Sequence, residues 1–409
     1  MGLVLLVACS TDGESIGTRR LEGDEPGTHR LDDFPLASRS DAAFVWTGEQ
    51  LFVWGGLTTD DPSVGRRSLG DGAVLDAESE WRRLPDSPYP HGLYGSTGAW
   101  DGTEVIVIGS DCDESVPPDT TGEPPRCTAP AAVAWNPRTD RWRRLAAPPI
   151  PVDLESGEAV IRWRAAAVGA GGAALFVDQK SGTTLSWNRR SGRWVTVPSP
   201  VGGQLAACAD PTESWVVAMS APYGATPSGD HRLRTIRPAS DGVPVWSDGT
   251  ETQVQPDVQS CGAGHVMGNA GLQVMLVDVV TGTSTPVAAA DAVNPAQPSL
   301  VTSASLVGAW LFTASSTPQA PPSTTTIPLE QASRASSTTL EPAVGRRRPE
   351  WSARLVPDGV PTPVKGTDFN LFVWAGTTVA TDDGLISCDL RHDRSCVAWV
   401  GPVDARPRR

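Results

Sequence analysis

The sequence predicts an all-β fold, a β-propeller of seven blades with four antiparallel strands each. A cassette of apolar strand, polar turn and tryptophan-led strand occurs twice in nearly the same form, at 132–142 and 184–194, and more loosely at 73–81. Successive cassette tryptophans stand 61, 52 and 52 residues apart, in the series Trp81, Trp142, Trp194 and Trp246. A repeat near fifty residues that holds several strands is typical of propeller blades.

Composition supports the same fold class. The chain of 409 residues holds 41 Gly and 37 Pro, which favours many short strands and turns over helices. Because repeat folds close as one unit, we expect a single propeller domain over 39–403, followed by a tail at 404–409.

Short apolar runs mark the blades, since the second strand of a blade is buried on both faces. We expect blades to start near residues 39, 91, 158, 202, 257, 299 and 366, with the last blade built from 371–374, 378–380, 385–387 and 396–400. A segment rich in Ser, Thr and Pro, 314–349, is expected to be an insertion that cannot pack a core. Six blades is the alternative, if the last two sets of strands merge around that insertion.

Two of the early repeats share a more specific pattern of apolar strand, turn ending in Gly, apolar strand and Gly, at 43–56 and 98–109. This pattern resembles the kelch repeat, in which a Gly pair ends the second strand and a Trp opens the fourth. Gly55-Gly56 fits the rule, and Gly109-Ser110 fits half of it. The resemblance to kelch-type, galactose-oxidase-like propellers covers about 40–400 and is specific in the first three blades.

The N-terminus predicts export. An apolar run over residues 1–9 ends in Leu6-Val7-Ala8-Cys9, which resembles the lipobox of bacterial lipoproteins, although no basic segment precedes it. By that resemblance, 1–9 is a signal segment and Cys9 carries the lipid, so that the protein lies on the outer surface of the cell membrane, or is secreted. The polar residues 10–38 are expected to form a flexible tether.

The other six cysteines support an oxidising compartment. An even number in an all-β chain predicts three disulfides, paired by sequence proximity as Cys112–Cys127, Cys208–Cys261 and Cys388–Cys396. A metal site is not expected, because no CxxC occurs and the five histidines are scattered.

The charge of the chain limits its partners. A net charge of −14 disfavours nucleic acid, which attracts basic surfaces, and also disfavours adhesion to anionic lipid. No apolar stretch approaches eighteen residues, so no transmembrane span is expected. We therefore expect a monomer that meets the membrane only through its lipid anchor.

Catalytic motifs are missing from the sequence. It contains no GxSxG elbow and no HExxH, so no catalytic residue and no cofactor are assigned. The predicted function is a non-catalytic binding or scaffold protein for a protein or glycan partner. The alternative is a carbohydrate-active hydrolase or lyase that uses the propeller channel, since paired carboxylates need only spatial proximity.

Aromatic residues outside the cassettes are the candidates for contact with a ligand. Some are expected on inner strands near a channel mouth, and others in the loop that enters the second blade. The candidate ligand-contacting residues are Trp46, Tyr89, His91, Tyr94, Trp100 and Trp163.

Overall fold

The computed structural model describes most of the chain between residues 27 and 401. No helix that could cross a membrane occurs in this part of the chain. The described residues are 27–58, 67–76, 79–112, 127–149, 165–170, 172–178, 182–200, 205–210, 215–220, 232–238, 243–252, 255–270, 273–287, 300–307, 310–316, 350–355, 362–364, 377–381, 384–392 and 394–401.

The first half of these residues forms fifteen strands. They are β1 Gly27–Leu31, β2 Arg39–Ser40, β3 Ala43–Trp46, β4 Leu51–Trp54, β5 Leu57–Thr58, β6 Gly72–Leu75, β7 Trp81–Arg83, β8 Tyr94–Trp100, β9 Val105–Cys112, β10 Cys127–Asn136, β11 Arg141–Arg144, β12 Ala165–Ala170, β13 Ala173–Asp178, β14 Thr184–Asn188 and β15 Arg193–Val197.

The second half continues in the same way. Its strands are β16 Leu205–Asp210, β17 Trp215–Ser220, β18 Arg232–Pro238, β19 Pro244–Trp246, β20 Thr250–Glu251, β21 Gln255–Gly262, β22 His265–Ala270, β23 Gln273–Asp278, β24 Ser284–Pro286, β25 Leu300–Val307, β26 Trp310–Ser316, β27 Glu350–Leu355, β28 Thr362–Val364, β29 Thr377–Ala380, β30 Gly384–Cys388 and β31 Cys396–Val400.

These strands build antiparallel sheets around one axis. The first blade is β3-β4-β6-β7, the second β8 to β11, the third β12 to β15, and two later blades are β21 to β24 and β25 to β28. The closing blade is β29-β30-β31-β1. A five-stranded sheet, β16 to β20, stands between the third blade and the 255–286 blade. The innermost strands contact one another in a ring, in the order β3, β8, β12, β16, β21, β25, β29 and again β3. The fold is therefore an all-β propeller.

The prediction of seven blades with four strands each is wrong. Six four-stranded blades occur among the described residues, which is the number given by the alternative prediction, and the other large sheet of the ring has five strands. In that sheet β19 and β20 pair one after the other with β18. The break between them falls at Ser247–Gly249, where Gly249 has a φ of 91°. Trp246 pairs with Ile236 and Thr250 pairs with Leu233, so the outer strand carries one more residue than β18 across this break and is divided in two.

The tether was predicted to extend too far. Gly27–Leu31, inside the expected 10–38 tether, is the outer strand of the closing blade and pairs along its full length with β31. This strand therefore takes the place that the sequence prediction gave to 371–374, which lies outside the described residues. Phe34 and Leu36 are also buried in the core between the closing blade and the first blade. An outer strand has one exposed edge and one exposed face, so its polar composition resembles that of a linker.

The cassette tryptophans join neighbouring blades. Trp142 donates from its indole nitrogen to the Pro85 carbonyl at 2.9 Å, and Trp194 donates to the Ala146 carbonyl at 2.7 Å. Each acceptor follows the outer strand of the preceding blade. Trp81 donates in the same way to the carbonyl of Asp32, which follows β1. The closing blade and the first blade are therefore joined by the same kind of hydrogen bond as the other early blades.

Two of the three expected disulfides are formed by described residues. Cys208–Cys261 links β16 to β21, and Cys388–Cys396 links the adjacent strands β30 and β31. The register of β9 and β10 places Cys112 directly opposite Cys127, but the bond between them stays a prediction. The 314–349 insertion lies almost wholly outside the described residues, as does Cys9.

Candidate functional site

The two faces of the propeller have different connections. In each blade the first-to-second and third-to-fourth strand connections leave at one end, which we name the turn face. The second-to-third connections and those between blades leave at the other end, the loop face. Gly27 pairs with Val400, so the chain enters β1 and leaves β31 at the turn face.

The connections between strands differ clearly in length between the two faces. On the turn face, the connections within the blades and the five-stranded sheet have between two and six residues. On the loop face, β26 ends at Ser316 and β27 begins at Glu350, leaving 33 residues between them, and β11 and β12 are separated by 20. Long connections on a rigid scaffold are where propellers carry binding groups. The loop face is therefore the candidate functional surface.

Arg39 organises the described part of the loop face. Its side chain is fully buried and donates to the carbonyls of Gly55 and Asp71 at 3.1 and 3.2 Å. It also pairs with the Asp71 carboxylate at 3.1 Å and lies over the Phe34 ring. Burial lowers the pKa of Arg39, and the charge and hydrogen bond of Asp71 act in the opposite direction. Three separate segments of the loop face are thus held by one guanidinium group.

A second contact fixes the 67–72 segment against the loop that enters the second blade. A Cβ atom at Gly70 would collide with the carbonyl of Pro90, and one at Gly92 would collide with the carbonyl of Leu69. Gly92 also has a φ of 75°, which disfavours other residues. These glycines allow the two backbones to pack directly against each other at the loop face.

The three candidate residues of that loop differ in exposure. Tyr89 is only 8% exposed, packs in the core between the first two blades, and lies under the Arg144 guanidinium at 4.5 Å. Burial raises the pKa of Tyr89, while Arg144 lowers it and Asp111 raises it. His91 is exposed and Tyr94 is half-buried. The structure therefore places His91 and Tyr94 at the loop face and Tyr89 beneath them.

Two other candidates lie at the opposite end of the sheets. Trp46 and Trp100 are the last residues of β3 and β8, next to the turn face. Trp46 packs against the core between the closing and first blades, and Trp100 against the core between the first and second. Since Tyr94 and Trp100 begin and end one seven-residue strand, about 20 Å separates their backbones. Contact of any of these residues with a ligand stays a prediction, and Trp163 lies outside the described residues.

Buried carboxylates have structural partners. Asp101 is fully buried and accepts hydrogen bonds from the backbone of Thr103 and Glu104, both at 2.8 Å. The neighbouring Glu104 is held by two bonds from Arg143. Asp210 accepts from Trp215 and from the backbone of Gly264 in the next blade. These acids hold turns and neighbouring sheets together.

Burial raises the pKa of Asp101, against the opposing effect of its backbone hydrogen bonds and of Arg189. A raised carboxyl pKa is one mark of a general acid, but this side chain has no exposed surface from which to reach a substrate. No group of three His, Cys, Asp or Glu side chains that could hold a metal ion occurs within the described ranges.

Comparison with known proteins gives a limited result. No protein-family model matches the chain. A kelch domain-containing protein of Vibrio cholerae serotype O1 (strain ATCC 39315 / El Tor Inaba N16961) is 29% identical over 111 residues, which is 27% of this chain and 31% of that protein. The chain thus matches about a third of the length of this curated relative. With the blade topology, this match supports a kelch-like β-propeller.

A solved structure resembles the chain over nearly its whole length. The structure described as YCF48 bound to D1 peptide covers 95% of this chain and 100% of its own, with a TM-score of 0.45 and 11% identity. A likeness this distant adds no argument about function.

Proposed function

We propose that this protein is an exported, lipid-anchored propeller that acts as a non-catalytic binding or scaffold protein and holds a protein or glycan partner on its loop face. The observation that carries the proposal is the difference between the faces. Every connection longer than six residues between consecutive strands of the described sheets lies on the loop face, while the chain enters and leaves at the turn face.

The topology supports a particular orientation. If Cys9 carries the lipid, residues 10–26 connect it to Gly27 on the turn face. The turn face is then directed toward the membrane and the loop face away from it. A binding surface in this position is open to partners outside the cell.

The disulfides support export. Two bonds join described strands, and such bonds persist in oxidising compartments outside the cytoplasm. Lipid attachment can be measured directly by mass spectrometry of the protein made in a bacterial host with a lipoprotein pathway. A diacylglyceryl group on Cys9 is the expected result, and an unmodified N-terminus in the membrane fraction would count against the anchor.

Binding is tested with glycan and peptide arrays probed by the full chain. A loop-face variant, Asp41→Asn with His91→Ser, changes two exposed side chains next to the Arg39 network. Its matched control, Glu49→Gln with Ser191→Ala, changes two side chains on the turn face. We expect saturable binding that the first variant weakens and the control leaves unchanged. Equal loss in both variants, or consumption of an arrayed glycan, would contradict the proposal.

A further inference from the structure

The two well-formed cassettes carry arginines at equivalent positions. Arg138 and Arg190 lie in the turns, and Arg141 and Arg193 begin the outer strands, each opposite an asparagine. Those asparagines, Asn136 and Asn188, both accept hydrogen bonds from the backbone of their turns. All four arginine side chains are exposed, and we name them the cassette arginines: Arg138, Arg141, Arg190 and Arg193.

Three nearby acidic groups lie against other arginines. Arg82 binds Asp140 at 2.7 Å, and Arg143 binds Glu104 through two hydrogen bonds. Arg189 lies 3.9 Å from the buried Asp101 carboxylate. None of the cassette arginines forms an ion pair with another described residue. Among the described residues, these four cations on two adjacent blades therefore have no carboxylate paired with them.

This basic surface is local. The corresponding turn of the first blade contains Asp76 and Glu80, and that of the 255–286 blade contains Val280 and Thr281, none of which is basic. Both cassette turns belong to the turn face, where the chain enters β1 at Gly27. The basic surface and the N-terminal segment thus share one face of the propeller.

We propose that the cassette arginines bind the anionic phospholipid surface of the membrane. Guanidinium groups pair well with phosphate oxygens, and the connections between strands on the turn face have six residues or fewer, so none of these connections keeps a planar surface away. The net charge of −14 does not prevent this, because charges more than about 8 Å away are largely screened at physiological salt. The proposal rests on the proposed function only where it assumes that the loop face is directed away from the membrane. Binding of the cassette arginines to phospholipid does not require a lipid on Cys9.

The test uses the full chain with Cys9→Ser, which cannot carry a lipid, and sedimentation with vesicles. Phosphatidylcholine vesicles are compared with vesicles that also contain phosphatidylglycerol. We expect binding only to the anionic vesicles, falling as salt rises. Removing four cations is expected to weaken it by about tenfold or more, in the variant Arg138→Gln, Arg141→Gln, Arg190→Gln and Arg193→Gln.

The control changes the net charge by the same amount on the opposite face. Arg67→Glu with Arg391→Glu replaces two exposed arginines of the loop face, and its vesicle binding should stay at the parent level. An equal loss in this control, no binding by the parent, or tighter binding of the parent to soluble polygalacturonate than to vesicles would each overturn the proposal. Unchanged thermal melting of both variants shows that neither has unfolded.

The same variants separate this inference from the proposed function. The quadruple variant should lose vesicle binding and keep array binding, since the loop face is unchanged. Failure of the arrays with intact vesicle binding would instead reject the partner surface and leave the lipid contact standing.

Discussion

Neighbouring sheets are joined by different chemistry in two parts of the ring. In the first three blades, outer-strand tryptophans donate hydrogen bonds to the preceding blade, and Trp142 also packs against Phe52 and Trp54 of that blade. Between the five-stranded sheet and the 255–286 blade, a disulfide joins the inner strands through Cys208 and Cys261. The indole nitrogen of Trp246, at the end of β19, is buried and has no hydrogen-bond partner among the described residues.

The difference shows that bonds between neighbouring sheets of one propeller can vary in position and chemistry. Aromatic packing requires the full cassette, with Trp on the outer strand and a carbonyl placed by the preceding blade. The outer strand of the 255–286 blade, β24, has no tryptophan, and there a covalent bond between the inner strands joins the neighbouring sheets. The following predictions test this comparison, from the largest expected effect to the smallest.

Replacing Trp135 should have the largest effect. This side chain is fully buried, packs against Phe52 and Trp142, and donates to Asp140. Trp135→Ala should lower the free energy of unfolding by about 3–5 kcal/mol, because it leaves a cavity between the first two blades. Urea unfolding followed by tryptophan fluorescence measures this. A loss below about 1 kcal/mol would mean that the aromatic cluster does not hold these blades together.

Removing the Cys208–Cys261 bond should have the next largest effect. Its partners are 53 residues apart, and a bond closing a loop of this size contributes about 2–4 kcal/mol. In the double variant Cys208→Ser with Cys261→Ser, amide exchange should rise in 205–287 and stay unchanged in 43–144. An equal increase in amide exchange in both regions would show that the disulfide does not stabilise the 205–287 sheets in particular.

Losing one indole hydrogen bond should cost less. Trp142→Phe keeps most of the aromatic surface and leaves the Pro85 carbonyl without its donor, so we expect a loss of about 1 kcal/mol. The matched control, Trp246→Phe, removes an indole nitrogen that already has no described partner. Chemical unfolding should therefore show a smaller loss for the control, and the reverse order would refute the role of the bond.

The contributions of Asp101 and Asp278 to folding stability should depend on pH in opposite directions. Burial raises the pKa of Asp101 in the folded protein above its value in the unfolded chain. The stability that this shift contributes is fully present below the unfolded pKa and is lost as the pH rises through the folded pKa. Asp101→Asn should therefore gain in stability relative to the parent as pH rises from about 4. Unfolding curves collected across this pH range test the direction.

Asp278 has the opposite sign. Burial alone would raise its pKa, but hydrogen bonds from Thr281 and Val280 and the charge of His265 together lower it. The stability that Asp278 contributes is present above its unfolded pKa and is lost as the pH falls through its folded pKa. Asp278→Asn should be less stable than the parent at neutral pH, with the difference shrinking in acid. A difference that grows in acid would reverse this assignment.

Much of the early ring could be predicted from the sequence because its signals are local. The spacing of Trp81, Trp142 and Trp194 placed three outer strands, and sequence proximity paired Cys208 with Cys261 and Cys388 with Cys396 correctly. The cassettes and the Cys388–Cys396 pair depend on a few neighbouring residues, whereas Cys208 and Cys261 were paired because they follow one another in the series of cysteines along the chain. The fifth strand at 250–251 depends instead on a bulge in a divergent repeat, which no local pattern marks.

Long-range contacts were missed for a physical reason. Gly27–Leu31 is polar and becomes a strand only by pairing with residues near position 400. Arg39 is fully buried because carbonyls from three segments meet around it, and nothing in its own neighbourhood indicates this. The cassette arginines were visible as a repeated pattern in the sequence, but the pairing of the surrounding acids with other arginines required the structure.

The pairing of β1 with β31 has a consequence for the order of events during synthesis. The first blade packs Leu51, Val53 and Leu75 against Ile386 and Ala398 of the closing blade. Since those partners are synthesised long after the first blade, its apolar side stays uncovered until they have been made. A growing chain is therefore open to aggregation at its first blade, and the time taken to deliver the closing blade sets how long that exposure lasts.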